Sequence, residues 1–291
     1  MKVAVTGATG FVGQHVLRAL AARAGVHVVA SSRHVPAASM LPPGVRHVAM
    51  DLAEPSADDF DRLGRPDVLL HLAWTGLPNY RSLHHFETEL PRQYAFLRSM
   101  VMAGLPSLFV AGTCYEYGMS SGEMQESLTS PPTNPYAYAK TALLRQLQFL
   151  RAASHFQLTW ARLFYMYGQG QAGTSLYAQL MAAIQHKDAS FKMSGGEQLR
   201  DFLPIAEVAR QMVDLGLQHP DAGVVNVCSG RPTSVRSLVE RILAEHGSNM
   251  VLDLGRFPYP DFEPMAFWGS RTKIDHLLGT GSTGIQGLEL E

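Results

Sequence analysis

The sequence has little cysteine, little net charge and few long apolar runs, and each shortage excludes a class of protein. Its 291 residues include two cysteines, Cys114 and Cys228, which are too few for a disulfide framework and fit a reducing compartment. Lys and Arg number 24 against 25 Asp and Glu, so neither nucleic acid nor an anionic membrane surface is expected as the main partner. No run of eighteen apolar residues and no secretory signal stand out, so we expect a cytoplasmic protein that does not enter membranes.

Metal-binding patterns are also scarce. Twelve histidines are present, but His84 and His85 are adjacent and cannot face one ion from the same helix. The two cysteines do not have the spacing of a zinc site. We therefore expect no catalytic or structural metal.

Strand-like apolar segments alternate with segments of helical periodicity in the first part of the chain. This alternation predicts an α/β protein with a doubly wound parallel sheet, the Rossmann arrangement, over residues 1–168. A smaller, interleaved lobe that binds substrate and returns in part to the core sheet is predicted over residues 169–278. Residues 279–291 are rich in Gly, Ser and Thr and are predicted to form a flexible tail.

A glycine-rich turn follows the first predicted strand and opens the first helix. It reads Thr6-Gly7-Ala8-Thr9-Gly10-Phe11-Val12-Gly13. In this context the glycines permit a tight turn, close approach of a pyrophosphate and close packing of the helix. The turn predicts a dinucleotide-binding site formed by these residues: Gly7, Thr9, Gly10, Phe11, Val12 and Gly13.

The end of the second predicted strand bears on which dinucleotide fits. An NAD site usually has an acidic residue there for the ribose hydroxyls, but this chain has Ser32 and Arg33. Arg33 can pair with a 2′-phosphate and Ser32 can add a hydrogen bond, which favours NADP(H) while NAD(H) stays possible. Asp51 and Leu52, after the third strand, are candidates for contact with the adenine, although Asp51 is equally suited to capping a helix.

The chemical centre is predicted around Tyr136 and Lys140, in the segment Asn134-Pro135-Tyr136-Ala137-Tyr138-Ala139-Lys140. Asn134 and Pro135 are typical of a helix start, so Tyr136 and Lys140 lie four residues apart on one helical face. A nearby ammonium and the positively charged oxidised nicotinamide both favour the phenolate and are expected to lower the pKa of Tyr136. Lys140 can also hold the ribose hydroxyls of the nicotinamide, and Tyr136 and Lys140 are both expected to contact the cofactor. Thr113, at the end of the fifth strand, can hydrogen-bond the reacting oxygen.

Together these motifs resemble the extended short-chain dehydrogenase/reductases, the NAD-dependent epimerase/dehydratase family. The resemblance covers about residues 1–275 and includes His71-Leu72-Ala73, Tyr117-Gly118 and Arg200-Asp201-Phe202. It implies a homodimer that acts on a nucleotide-diphospho-sugar, with Thr113, Tyr136 and Lys140 as the catalytic triad. It also implies that Leu72 and Ala73 touch the cofactor, and that Arg200 and, with less support, Arg271 hold the substrate diphosphate. Further candidates for substrate contact are Trp74, Thr75, Cys114, Tyr115 and Tyr165.

Departures from the family pattern narrow the expected reaction. The 4,6-dehydratases of the family have Asp-Glu after the catalytic Thr, where this chain has Cys114 and Tyr115. Glu116 is expected to point to the opposite side of an extended segment, so dehydration is not expected. Glu89 stands where the family usually has Asn. The sequence therefore favours NAD(P)H-dependent reduction of the C4 keto group of a nucleotide-linked 4-keto-6-deoxyhexose. A 4-epimerase with tightly bound NAD and a non-catalytic NADP-sensing scaffold stay open as alternatives.

Overall fold

A computed structural model of the chain describes residues 1–261 and 263–279. Its first part alternates short strands with helices. The elements are β1 Lys2–Thr6, α1 Phe11–Ala21, β2 His27–Ser32, β3 Arg46–Ala49, α2 Asp59–Arg62, β4 Val68–His71, α3 Leu90–Met102, β5 Ser107–Thr113, β6 Gly122–Met124, α4 Pro135–Ala153 and β7 Gln157–Leu163. A π-helical turn, His85–Glu89, leads into α3, and a 3-10 turn, Cys114–Tyr117, follows β5.

The second part contains shorter strands between three long helices. Its elements are β8 Tyr165–Tyr167, α5 Leu176–His186, β9 Ser190–Lys192, β10 Leu199–Pro204, α6 Ile205–Gln218, β11 Gly223–Val227, β12 Pro232–Ser234, α7 Val235–Glu245, β13 Val251–Asp253, β14 Phe267–Gly269 and α8 Thr272–Leu278. The sequence patterns did not predict α2, α8, β6, β8, β10 or β12 to β14. Most of these elements contain three or four residues, too few to show a period.

Seven strands form the central sheet in the order β11-β7-β5-β4-β1-β2-β3. Every neighbouring pair in it is parallel. The chain runs outward from β1 to β3 on one side and resumes at β4 on the other, so the carboxyl ends of β1 and β4 border the crevice where such sheets bind ligands. The predicted doubly wound α/β fold is confirmed.

Both faces of the sheet are covered by apolar helix surfaces. On one face α1 and α6 bury residues such as Leu17, Leu20 and Met212 against the strands. On the other face α3 and α4 bury Phe96 and Leu147, among others. Burial on both faces explains why the strands are apolar throughout rather than alternating.

The C-terminal part contributes β11 to the main sheet and otherwise forms small sheets in the orders β12-β10-β8, β13-β9 and β14-β6. Helices α5 and α7 enclose a separate apolar cluster there. The boundary proposed at residue 168 stays a prediction. The predicted flexible tail lies, except for Gly279, outside the described residues. No helix in the described part of the chain is long and apolar enough to cross a membrane.

Candidate active site

The glycine-rich turn brings the end of β1 against the end of β4. Gly7 has a φ of +67°, and a Cβ there would lie 2.7 Å from the Ala73 nitrogen. A Cβ on Gly13 would lie 2.2 Å from the Gly7 oxygen, so α1 could not approach the turn this closely with a larger residue. These contacts give the physical reason for two of the glycines and leave the amino end of α1 facing the crevice.

A cavity of about 560 Å³ lies over this turn. Nine of the predicted cofactor residues line it: Gly7, Thr9, Gly10, Ser32, Arg33, Asp51, Leu52, Leu72 and Ala73. Phe11 and Val12 line the neighbouring cavity instead, and Gly13 packs beneath the turn. The close backbone approach at Gly7 and the cations and hydroxyls on the wall fit a dinucleotide phosphate.

At the end of β2, Ser32 is hydrogen-bonded within the protein, whereas Arg33 is available to a ligand. The Ser32 hydroxyl donates to the His34 carbonyl at 2.8 Å and lies 2.8 Å from His47 Nε2. Arg33 is exposed and has no hydrogen bond or ion pair with the described residues. Asp51 accepts from the Ala53 nitrogen at 3.0 Å, which stabilises a turn rather than a helix. Arg33 is therefore the side chain at this edge best able to meet a phosphate.

A second cavity, of about 310 Å³, contains the predicted catalytic residues Thr113, Tyr136 and Lys140. It adjoins the first cavity, because Leu72 and Trp74 line both. The side chain of Asn134 accepts from the Ala137 nitrogen at 2.9 Å and caps α4, which places Tyr136 in its first turn.

Lys140 is buried among groups that hold its ammonium in place. Its Nζ donates to the Ala111 carbonyl at 2.8 Å and lies 3.9 Å from the centre of the Trp74 ring. Burial lowers the pKa of Lys140 to about 7, against the opposing attraction of Glu116 and Glu89. Lys140 can therefore gain or lose a proton near neutral pH.

Tyr136 differs from the expectation in the direction of its pKa shift. Burial raises the pKa of Tyr136, and the neighbouring acidic groups Tyr80, Glu116 and Cys114 raise it further. Only the hydrogen bond with Thr113 lowers it among these causes. Desolvation is the largest of these causes and outweighs the hydrogen bond with Thr113. The prediction of a lowered pKa is wrong for the protein without cofactor. The Tyr136 phenol is therefore neutral and can donate a proton.

Glu116 also differs from its prediction. The segment after Thr113 is a 3-10 turn, not extended, and Glu116 turns back to accept from the Thr113 nitrogen at 2.9 Å. Its carboxylate also accepts from Trp160 Nε1 and Arg162 Nε, each at 2.9 Å. With both oxygens occupied inside the fold, Glu116 is not free to act as an acid or base in the cavity.

A buried polar network beside the site was not predicted from the sequence. Gln93 donates to Glu89 at 2.6 Å, so its amide oxygen faces His71 Nε2, also at 2.6 Å. His71 Nδ1 lies 2.9 Å from the Thr6 hydroxyl, and Glu89 accepts from both the nitrogen and the hydroxyl of Thr75. Burial lowers the pKa of His71 to about 3, so the ring is neutral. Glu89, which stands where the family usually has Asn, thus connects the loop at Thr75 to the start of α3 by two hydrogen bonds.

The predicted substrate residues do not all meet at the second cavity. Trp74, Cys114, Tyr115 and Tyr165 line it, whereas Thr75 lines the first. Among the described residues, neither Arg200 nor Arg271 lines the second cavity.

Both arginines have carboxylate partners. Arg200 forms a buried ion pair with Glu263 at 2.8 Å, and Arg271 pairs with Asp275 at 2.6 Å. Glu263 was missed because it lies far along the chain, in a loop without any recognisable motif.

Comparisons with known proteins agree with this geometry. The sequence matches the NAD dependent epimerase/dehydratase family over residues 3–228. The chain belongs to this family. It is a nicotinamide-dependent enzyme of the extended short-chain dehydrogenase/reductase type.

Three relatives illustrate the similarity of this epimerase/dehydratase family member to known proteins. It is 29% identical to dTDP-6-deoxy-L-talose 4-dehydrogenase (NAD(+)) of Aggregatibacter actinomycetemcomitans, over 93% of this chain and 100% of that one. It is 30% identical to GDP-6-deoxy-D-mannose reductase of Pseudomonas aeruginosa, over 81% of this chain and 77% of that one. Its fold is similar to that of MoeE5 in complex with UDP-glucose and NAD, with a TM-score of 0.81 and 26% identity over 99% of this chain and 95% of that one.

Proposed function

We propose that this enzyme reduces the C4 keto group of a nucleotide-diphospho-4-keto-6-deoxyhexose with NADPH, or with NADH. The observation that carries the proposal is that Thr113, Tyr136 and Lys140 share a cavity that continues, past Leu72 and Trp74, into the cavity over the glycine-rich turn. A dinucleotide held by the glycine-rich turn would extend past Leu72 and Trp74 toward the cavity that contains Tyr136.

Two relatives support the class of substrate. One is a 4-dehydrogenase of a dTDP-linked 6-deoxyhexose, and another is a reductase whose product is a GDP-linked 6-deoxyhexose. Oxidation and reduction at one carbon are the same reaction in opposite directions. Two similar enzymes thus interconvert a ketone and an alcohol on nucleotide-linked 6-deoxy sugars, and we extend that chemistry to this chain.

In the proposed mechanism the side chains hold the ketone and supply a proton. The reduced nicotinamide, when bound, supplies hydride. Thr113 donates a hydrogen bond to the keto oxygen, where negative charge develops. Tyr136 is neutral, since burial raises its pKa, and gives its proton to that oxygen. Lys140 has a pKa of about 7 and stabilises the phenolate that is left.

The preference for NADPH rests on Arg33. It is exposed on the wall of the first cavity, and no acidic residue stands at the end of β2 to repel a 2′-phosphate. Ser32 contributes less than expected, because its hydroxyl already bonds His34 and His47. We expect Arg33→Ala to lower kcat/KM for NADPH about tenfold or more while leaving that for NADH nearly unchanged.

The deciding experiment follows absorbance of NADPH and of NADH while dTDP- and GDP-linked 4-keto-6-deoxyhexoses are offered to the enzyme. Consumption of cofactor that depends on the keto sugar is expected. If NAD co-purifies with the protein and the enzyme interconverts nucleotide sugars without net consumption, it is a 4-epimerase instead. If Tyr136→Phe loses no activity, the catalytic interpretation is wrong and a scaffold role is favoured.

A further inference from the structure

Glu263 connects two residues that were predicted to touch substrate. The Tyr115 hydroxyl donates to Glu263 Oε1 at 2.6 Å. The Arg200 guanidinium donates to Glu263 Oε2 at 2.8 Å through Nη2 and at 3.3 Å through Nε. Each carboxylate oxygen thus has a partner, and all three side chains have little exposure.

Arg200 is fully engaged in holding this carboxylate and its loop. Its remaining nitrogen, Nη1, donates to the carbonyls of Leu199 and Met265. Every nitrogen of the guanidinium therefore has an acceptor within the described residues. The ion pair fixes Glu263 in the wall behind the cavity, since removing either charge would leave the other buried and unpaired.

This arrangement determines whether the Tyr115 hydroxyl donates or accepts hydrogen bonds. A carboxylate only accepts hydrogen bonds, so the single hydroxyl proton of Tyr115 is directed at Glu263. The Tyr115 oxygen is then left as an acceptor. The Tyr165 hydroxyl donates to that oxygen at 3.5 Å, and this long bond leaves the other lone pair of Tyr115 for a ligand.

Tyr115 shares the cavity of about 310 Å³ with the catalytic tyrosine. Tyr115 and Tyr136 both line the second cavity. The Tyr80 ring contacts both, with its centre 5.0 Å from that of Tyr115 and 5.5 Å from that of Tyr136. A hexose bound at Tyr136 would therefore occupy the same cavity as Tyr115.

We propose that Glu263 is a positioning residue that makes Tyr115 an obligate acceptor for the C2 or C3 hydroxyl of the sugar. The proposal rests on the proposed function, because it concerns the same cavity. A keto oxygen has no proton and cannot bind an acceptor, so the C4 keto group is disfavoured beside Tyr115 and left to Thr113 and Tyr136. Glu263 thus selects the productive orientation of the sugar without touching it.

The test measures binding by titration calorimetry, with dTDP- and GDP-linked 6-deoxyhexoses and their 2-fluoro and 3-fluoro analogues as probes. Fluorine cannot donate a hydrogen bond. We expect the wild type to bind the parent sugar about tenfold more tightly than the analogue fluorinated at the contacted position, which corresponds to about 1.4 kcal/mol. The other analogue should bind nearly as well as the parent.

Two variants and one control test whether Tyr115 and Glu263 cause the preference for the parent sugar over the fluorinated analogue. Tyr115→Phe removes the acceptor. In Glu263→Gln the amide oxygen faces Arg200, so the amide nitrogen donates to Tyr115 and frees its proton for the ligand. In both variants the preference for the parent sugar should fall below about threefold. Tyr138→Phe, at a half-exposed tyrosine on the same helix as Tyr136, should keep the full preference.

The outcomes separate this inference from the proposed function. An undiminished preference in Tyr115→Phe, or no preference in the wild type, overturns the role of Tyr115 and Glu263. A preference that behaves as expected, in an enzyme that oxidises no NADPH or NADH with any keto sugar, overturns the reductase function alone. Failure of the wild type to bind either nucleotide sugar overturns both. Melting temperatures identify a Glu263→Gln protein that is not folded, in which case Tyr115→Phe decides.

Discussion

The Nζ of Lys140 lies 3.9 Å from the centre of the Trp74 ring, and the same nitrogen donates to the Ala111 carbonyl. The face of an indole ring stabilises a cation, so Trp74 favours the charged form of Lys140. It therefore opposes the burial that lowers the pKa of this lysine to about 7. Trp74 also lines both cavities, so it lies where the two halves of the proposed site meet.

Replacement of Trp74 by Leu is expected to lower the pKa of Lys140 further. A cation–π contact of this kind contributes roughly 0.5–2 kcal/mol, which corresponds to a shift of about 0.4–1.5 pH units. If the reaction needs the charged lysine, kcat/KM falls as pH rises through its pKa, and that midpoint moves to lower pH in Trp74→Leu. The pH profile of kcat/KM for the keto sugar measures this, and Trp74→Phe, which keeps an aromatic face, should shift less. Identical midpoints in all three proteins would refute the coupling.

Removal of the Tyr136 hydroxyl tests proton donation directly. Tyr136→Phe keeps the ring packed against Tyr80 but has no proton to give, so kcat should fall about 10²- to 10⁴-fold. Cofactor binding, measured by fluorescence titration, should change little. Tyr138 is 54% exposed on the same helix, and Tyr138→Phe serves as the control with unchanged kcat. Equal activity of the two variants would exclude Tyr136 as the proton donor.

The sequence alone was sufficient to predict the central sheet and the local motifs of the site. The glycine-rich turn, the capped start of α4 and the pairing of Tyr136 with Lys140 depend on residues within a few positions of one another. Their geometry therefore follows from local rules on turns and helical periodicity. Most strands of the main sheet are buried apolar runs, which give a strong signal in the sequence.

What could not be predicted depends on residues far apart in the chain. Glu263 lies 148 positions from Tyr115 and 63 from Arg200 in the sequence, and no local sequence pattern predicts contacts over such separations. Glu116 was misplaced because a capping turn replaced the expected extended segment after Thr113. The pKa of Tyr136 was wrong in direction because the extent of burial, which dominates the shift, is a property of the folded chain.

Gly13 should tolerate no side chain. An added Cβ would lie 2.2 Å from the Gly7 oxygen and 2.8 Å from the Ala8 Cα, so α1 must move away from the turn. We expect Gly13→Ala to destabilise the fold by about 1–3 kcal/mol and to weaken cofactor binding, because the turn shifts with the helix. Urea denaturation and cofactor titration measure the two effects. Gly173→Ala, at an exposed glycine with open space around it, should have neither effect, and a similar loss there would argue against a steric cause.

The homodimer expected from the family is testable at the exposed surfaces of α3 and α4. Phe149 is 76% exposed and Met102 is 60% exposed, and both helices cover the same face of the sheet. Exposed apolar side chains on neighbouring helices are typical of an interface. Light scattering should give twice the chain mass of 31.9 kDa for the wild type and one chain mass for Phe149→Glu. Leu254→Glu, at an exposed leucine in the C-terminal part, should remain dimeric. A monomeric wild type would refute the expectation.

His71 should make the fold sensitive to mild acid. Its pKa is about 3 in the folded protein, against about 6.5 in an unfolded chain, because the ring is buried between Thr6 and Gln93. As pH falls below 6.5, the unfolded chain binds a proton that the folded protein does not, so stability is lost by about 1.4 kcal/mol per pH unit until about pH 3. Urea denaturation at pH 6.5 and pH 5.0 should therefore show a loss about 1.6 kcal/mol larger in the wild type than in His71→Asn, because the slope is only half its full value at pH 6.5. The same substitution at the exposed His27 should leave the pH dependence of the wild type in place. Equal pH dependence in the wild type and His71→Asn would mean that the ring gains its proton inside the folded protein, and that the network from Thr6 to Glu89 does not require a neutral histidine.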